Sequence, residues 1–157
     1  MRVSAKVDYA VRACVELAQR EHDGPVKGDV IREAQGIPLK FLENILAELR
    51  AEGIVMSRRG SDGGYWLARP AAEITVAQVV RAVEGPIAAV RGERPTAIEY
   101  PPTSAALRDV WVALRASLRL VLDRVTLAAV ASSELPEIVT ELLATPGAWE
   151  PREPLSH

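Results

Sequence analysis

The placing of helix breaks between Val26 and Pro70 constrains this chain more than any other feature. "VKGDVIREAQG" supports a short helix from about Asp29 to Gln35, stopped at Gly36, because glycine adopts the left-handed backbone that ends helices. "IPLKFLENILAELRAEG" then opens with Pro38, a good first-turn residue, and carries Phe41, Leu42, Ile45, Leu46 and Leu49 on one apolar face before Gly53 ends it. Two helices joined by a few residues containing glycine make a helix-turn-helix signature, which a generic pair of antiparallel helices can also produce. "IVMSR" and "YWLAR" follow as strands rich in branched and aromatic residues, separated by "RGSDGG", and Pro70 closes the hairpin. A helix-turn-helix followed by such a hairpin is a winged helix. The expected fold is therefore mainly α with a small β-hairpin wing.

The flanking segments complete the unit. Val3, Val7, Ala10, Val11, Cys14, Leu17 and Ala18 form one stripe of a first helix that Ser4 can cap and that turn residues His22 to Pro25 end. Thr75 caps a short amphipathic helix ending at Gly85. Pro86, Pro95, Pro101 and Pro102 then predict a loop over 86–103. From Ser104 a long helix is expected, with Leu107, Trp111, Leu114, Leu118, Val121 and Val125 spaced 4-3-4-3-4 as a heptad seam. Roughly 22 residues would make it about 33 Å long. "LAAVASSEL" and "PEIVTELLA" read as one further helical stretch. The organisation expected is 1–85 for the winged helix, 86–103 for a loop, 104–145 for the dimerisation helix and a short C-terminal helix, and 146–157 for a flexible tail.

Composition sets outer bounds. At 157 residues, 48% hydrophobic and 25% charged, the chain suits one soluble domain, alone or with an appended element. No leader or membrane-length apolar run is read, so the expected location is the cytoplasm, with no membrane partner. The single cysteine, Cys14, excludes an internal disulfide framework and a multi-cysteine metal site. No Cys–His or Ser–His–Asp set stands at a recognisable spacing, and Glu48 with Glu52 reads as a solvated helix face, so an enzyme is not expected. The net charge of −2 argues mildly against nucleic acid, but residues 1–70 hold 11 basic against 10 acidic residues, so placement decides.

Placement is informative at "SRRGSDGGYWLARP". A Walker-type phosphate cradle requires a lysine with Ser or Thr at its end and a helix after it; neither is present. A plain surface hairpin would use Gly60, Gly63 and Gly64 for positive φ and leave Arg58 and Arg59 solvated. One helix after a helix-turn-helix, however, exposed arginines at a wing tip are placed to enter a DNA minor groove, whose negative potential attracts guanidinium. The third helix would turn Lys40, Glu43, Asn44 and Ala47 outward, the first three carrying donors and acceptors suited to base edges in the major groove. Lys6 and Lys27 could clamp phosphates and set register. Pro38, Leu39, Arg50, Gly60 and Ser61 complete the candidate DNA-contact set.

"RGSDGGYWLARPAAEITVAQVVRAVEG" resembles the signature of the Rrf-two family of bacterial winged-helix transcription regulators, the family of IscR, NsrR and CymR. "MRVSAKVDYAVRA" is similar to its first helix, "QGIPLKFLENILAELRAEGIV" to its helix-turn-helix, and "DVWVALRASLRLVLDRVTLAAV" to its long dimerisation helix. The resemblance covers about residues 1–131. It implies a homodimer that binds a palindromic operator on double-stranded DNA, with Arg59 in the minor groove and Lys40 and Glu43 at the major groove. Several members carry three cysteines in the loop before the long helix, holding an iron–sulfur cluster. Here that loop, "PIAAVRGERPTAIEYPPTSA", has none, so thiolate ligation there is impossible and no such cofactor is expected. Asp8 matches a position that supplies a carboxylate ligand in some cluster-bearing relatives; without the cysteines it reads as a surface or salt-bridged acid.

The expectation is then a repressor controlled by a small-molecule or protein effector. Arg91, Arg94, Tyr100 and Trp111 are the candidate effector residues, and a mobile linker without a ligand is the plain alternative. Cys14 reads as a small buried hydrophobe and His22 as a helix-terminal residue, with haem ligation at His22 left open. The competing class is a winged helix that binds proteins instead of DNA, to which the acidic net charge lends support.

Overall fold

The computed structural model describes residues 2–151. Seven helices and one hairpin follow in order: α1 (Ala5–Gln19), α2 (Gly28–Gln35), α3 (Leu39–Ala51), β1 (Val55–Arg58), β2 (Gly64–Leu67), α4 (Val76–Glu84), α5 (Leu107–Leu122), α6 (Leu127–Ser132) and α7 (Glu137–Leu143). Residues 152–157, the outer part of the expected tail, lie outside the described residues.

Helix α1 starts where Ser4 Oγ accepts the Val7 amide at 3.1 Å, the N-cap read from the sequence. Its buried stripe, including Ala10, Ala13, Cys14 and Leu17, is the centre of the core, and α2, α3, α4 and α6 all pack on it. Ile31, Leu42, Ile45, Leu46 and Leu49 are fully buried against that stripe, each worth about 1.5–3 kcal/mol relative to exposure. Gly36 ends α2 with φ 61°, a left-handed turn that swings the chain into α3. Pro38 sits one position outside α3, as its N-cap, and not in its first turn. Phe41 is the one member of the expected apolar face that stays out of the core, at 50% exposure. At 100° per residue it lies about 90° from the centre of the stripe formed by the other four, so its ring reaches sideways to Tyr9, edge-on, at 5.8 Å between centroids.

The wing is antiparallel, with Val55 opposite Leu67 and Arg58 opposite Gly64. Val26 extends the ribbon by one bridge, exchanging two 2.8 Å backbone hydrogen bonds with Tyr65. Helix α4 opens on a capping box in which Thr75 Oγ1 accepts the Gln78 amide and Gln78 Oε1 accepts the Thr75 amide.

The C-terminal half departs from expectation in four places. The 86–103 segment is not structureless: Pro95–Ala97 and Pro102–Ser104 form single 3-10 turns, each with proline at its start, and Pro95 and Ile98 are buried. Ser104 belongs to the second of these turns, and α5 begins at Leu107. With 16 residues, α5 is about 24 Å long, shorter than the sequence spacing implied. Val125 falls past its end and is buried at 7% exposure. Val125 carbonyl accepts the Val76 amide at 2.8 Å and the Leu127 amide donates to Ile74 at 2.9 Å, so this position is core of the same chain and not part of a seam. Finally, the terminal stretch is two helices: α6, with Leu127 fully buried, returns to pack on α1, and α7 touches α5. None of the residues of α5 is buried. Among the described residues no helix is long and apolar enough to cross a membrane.

Candidate nucleic-acid interface

A polar seam between α1 and α2 fixes the approach of α3. Glu16, buried, accepts Arg20 Nε at 2.6 Å and Gln35 Nε2 at 2.8 Å. Burial acts to raise its pKa, but the hydrogen bonds from Arg20 and Gln35 and the Arg20 charge outweigh it and hold the carboxyl below its ordinary value. Arg12 donates to the Gln35 carbonyl, pairs with Asp8 at 3.0 Å and stacks over Tyr9. The C-terminal end of α2, and with it the Gly36 turn, is thereby tied to α1. Asp8 is a salt-bridged acid.

On this frame α3 presents Leu39, Lys40, Glu43, Asn44, Ala47 and Arg50 to solvent, beside exposed Pro38. Lys40, Glu43 and Asn44 make no side-chain hydrogen bond or ion pair among the described residues, so their donors and acceptors are free. Arg50 is braced, donating from Nη1 to Ser57 Oγ at 3.2 Å and joining α3 to the wing. Phe41 and Tyr9 add an apolar edge at the first turn of α3. The sequence hid Phe41, because its spacing from Ile45 matches a core residue.

The wing carries Arg58, Arg59, Gly60 and Ser61 at its exposed tip. Arg58 Nη2 donates to the Asp62 carbonyl at 3.1 Å. Arg59 makes no side-chain hydrogen bond or ion pair among the described residues. The glycines differ in their reasons. Gly60 and Gly64 have positive φ, 106° and 148°. Gly63, expected to do the same, does not; there a Cβ would meet the Arg58 carbonyl oxygen at 2.1 Å, so close backbone approach requires glycine.

Both expected phosphate clamps have other roles. Lys6 Nζ lies 2.7 Å from Glu48 Oε2, joining α1 to α3 with its charge answered inside the chain. Lys27 Nζ donates to the Gly60 carbonyl at 2.7 Å and props the wing tip from the start of α2.

The expected effector residues do not converge. Arg91 sits over the Tyr100 ring at 5.9 Å. Arg94 lines a cavity of about 290 Å³ together with Arg81, Arg115 and Arg119. Trp111 lines a separate, apolar hollow of about 410 Å³ with Val90 and Leu114. Of the expected seam, Leu107 is exposed, while Trp111, Leu114, Leu118 and Val121 are half-buried, part of each turned onto its own chain. Val110, bordering that seam, and Val112 and Leu120, on the opposite side of α5, were omitted by the heptad reading and are exposed.

The donor set does not fit an iron–sulfur cluster. The 86–103 segment contains no cysteine, and the single thiol, Cys14, is fully buried in the core, where burial pushes its pKa up to about 12. Exposed His22 lies beyond the α1 C-cap, away from the buried stripe that holds Cys14.

Comparison with known proteins bears on this geometry. A family model described as Rrf2, iron-dependent transcriptional regulator, matches residues 3–133. An HTH-type transcriptional regulator of Mycobacterium tuberculosis (strain ATCC 25618 / H37Rv) is 51% identical over 142 residues, covering 90% of this chain and 88% of the relative. The HTH-type transcriptional regulator CymR of Bacillus subtilis (strain 168) is 33% identical over 132 residues, covering 84% and 91%. The structure of that protein, called the global cysteine regulator of B. subtilis, superposes with a TM-score of 0.72 at 31% identity, over 85% of this chain and 98% of the other. T. potens IscR superposes at 0.68 with 32% identity, over 90% and 96%. These relatives are regulators of transcription, not enzymes, and they share the winged-helix fold.

Proposed function

The chain belongs to the Rrf2 family of transcriptional regulators, and on that premise we propose that it is a homodimeric repressor of a palindromic operator, governed by an effector other than an iron–sulfur cluster. The observation that carries the reading is the pairing of a free polar face on α3 with an unpaired arginine at the wing tip. Lys40, Glu43 and Asn44 meet base edges in the major groove, where Lys reads guanine acceptors, Asn reads adenine and Glu accepts from cytosine N4. Arg59 enters the adjoining minor groove. Arg58, Gly60 and Ser61 approach the backbone beside it, and Lys27 and Arg50 hold the wing against the two helices.

Helix α5 supports the dimer. A 16-residue helix without a buried residue, with Val110, Val112 and Leu120 exposed, does not repay its ordering unless something covers it. A second copy, related by a two-fold axis, covers it with the same surface and holds two wings about one duplex turn apart, ~34 Å. Loss of the cluster ligands moves the signal elsewhere in the chain, to a bound small molecule or a protein partner.

The test is footprinting of the full chain on genomic DNA, combined with its mass by light scattering. Two-fold symmetric protected sites and a dimeric mass are the expected result. A monomeric mass, or duplex binding that is absent or indifferent to salt, refutes the reading and favours a protein-binding scaffold.

A further inference from the structure

We propose that the cleft between the end of α4, the 86–94 segment and α5 is a receptor for a small dianionic oxyanion, whose binding sets the angle of α5 against the winged domain. Arg81, Arg94, Arg115 and Arg119 converge on this cavity of about 290 Å³, with Pro86 and Ile87 as its apolar wall. Arg81 comes from the last turn of α4, and Arg115 and Arg119 stand four residues apart on α5. One carboxylate answers them. Asp123 accepts Arg81 Nη2 at 2.8 Å and Arg119 Nε at 2.9 Å.

Arg94 and Arg115 have no ion pair among the described residues. Four guanidiniums around one carboxylate leave a surplus of positive charge, and like charges at helical i,i+4 spacing destabilise each other. A bound anion removes that repulsion, and planar guanidinium forks match the paired oxygens of phosphate, sulfate or carboxylate. The volume is at the lower limit of ligand pockets, about 300 Å³, which suits an inorganic oxyanion, a short phosphate ester or a compact dicarboxylate.

The site also lies where a ligand can act at a distance. The start of α4 and the end of α5 are joined by backbone, through Val76 to Val125 and Ile74 to Leu127. The Arg81–Asp123–Arg119 link adds a side-chain tie between the two helices. An anion drawn between Arg94, Arg115 and this link favours one setting of α5, and in the dimer α5 sets the wing separation. This regulatory half rests on the dimeric reading above; the binding half does not.

Isothermal calorimetry on the full chain tests the site with inorganic phosphate, sulfate and succinate, chloride holding the ionic strength constant. The expected result is one saturable site per chain for at least one of the three. Arg94→Gln and Arg115→Gln each weaken it about ten-fold or more, the worth of a charge-assisted hydrogen bond. Arg108→Gln, outside the cleft, leaves it unchanged. The order of the three affinities separates a phosphoryl or sulfuryl ligand from a dicarboxylate. Circular dichroism checks that the variants fold, and Arg94, which belongs to the 86–94 segment and not to α5, keeps the test valid if Arg115→Gln disturbs the dimer.

Absence of saturable heat with all three anions, or equal binding by both variants, overturns the proposal. So does a dimer structure with a partner's carboxylate seated between Arg94 and Arg115. A second measurement follows duplex affinity with and without the anion at fixed ionic strength. The expected few-fold change disappears in Arg115→Gln; an unchanged affinity in a protein that binds the anion overturns the regulatory half. Absence of duplex binding under any condition sinks the DNA reading, while calorimetry still decides the site.

Discussion

Arg59→Ala separates a DNA-reading wing from a solvated hairpin. The side chain is exposed at the tip and makes no contact that holds the hairpin, so its removal leaves β1, β2 and the core as they are. Each phosphate neutralised by a cation contributes about −0.9 to the slope of log K against log salt. A dimer loses two such contacts, so the slope becomes shallower by about 1.8. Between 50 and 200 mM salt, a span of about 0.6 log units, wild type therefore loses roughly ten-fold more affinity than the variant. The assay is fluorescence anisotropy with a labelled duplex carrying a footprinted site, titrated at four or five salt concentrations.

Lys6→Ala is the internal comparison. Its ammonium is paired with Glu48 at 2.7 Å, and both groups are partly exposed, so the exchange costs at most about 1 kcal/mol of stability and leaves the salt slope unchanged. A slope that does not move in Arg59→Ala, or one that moves as much in Lys6→Ala, refutes the assignment of the wing tip as the contact and of Lys6 as an internal tie.

Other perturbations test the parts that position this face. Gly63→Ala places a Cβ 2.1 Å from the Arg58 carbonyl oxygen; the turn must open at a strain of about 1–3 kcal/mol, and specific duplex binding falls while the helical circular dichroism persists. Leu127→Ala, at the fully buried root of α6, lowers the urea unfolding free energy by about 2–5 kcal/mol, whereas a cost below 1 kcal/mol would show that α6 is not part of the core. Glu16 has a folded pKa below its unfolded one. Its stabilisation is therefore complete above the unfolded value of about 4.3 and is lost as pH falls through the folded value; Glu16→Gln removes that part of the acid sensitivity in urea titrations at pH 7 and pH 4. Cys14, with its thiol pushed up to about 12 by burial, stays unlabelled by a thiol reagent in the native protein and reacts only after denaturant is added.

Local rules carried the N-terminal half of the sequence reading. Ser4, Gly36 and Thr75 each act on their own few residues, and the structure places all three at the helix ends they signal. The α3 stripe was legible for four of five residues because those four share one side of the helix; Phe41 was not, because spacing alone does not show how wide the buried arc is. The C-terminal half depends on contacts distant in sequence. Val125 fits a heptad by spacing, yet its backbone accepts Val76 and its side chain enters the core. The tie of Lys27 to Gly60 spans 33 residues, and that of Arg81 to Asp123 spans 42. No local pattern reports such pairs, so the division of labour among the cations was out of reach of the sequence.

That division explains how a chain of net charge −2 can present a DNA-binding face. In the N-terminal helices most cations are spent on the fold: Lys6 on Glu48, Arg12 on Asp8, Arg20 on Glu16, and Arg32 on Asp29 and Glu33. Each pair removes one charge of each sign from the account seen by a distant duplex, so the sum over the domain says nothing about its surface. Lys40 and Arg50 on α3 and Arg58 and Arg59 on the wing keep their charge, since Arg50 and Arg58 donate only to the neutral Ser57 hydroxyl and Asp62 carbonyl, and they lie on the two elements that a winged helix offers to the grooves. Glu43, free on the same α3 face, opposes phosphate and can be satisfied only by a base-edge donor. A carboxylate set among these cations lowers affinity for phosphate alone and makes binding depend more on the matching sequence. The ratio of specific to non-specific binding should therefore fall when Glu43 is replaced by Gln, even as total affinity for random duplex rises.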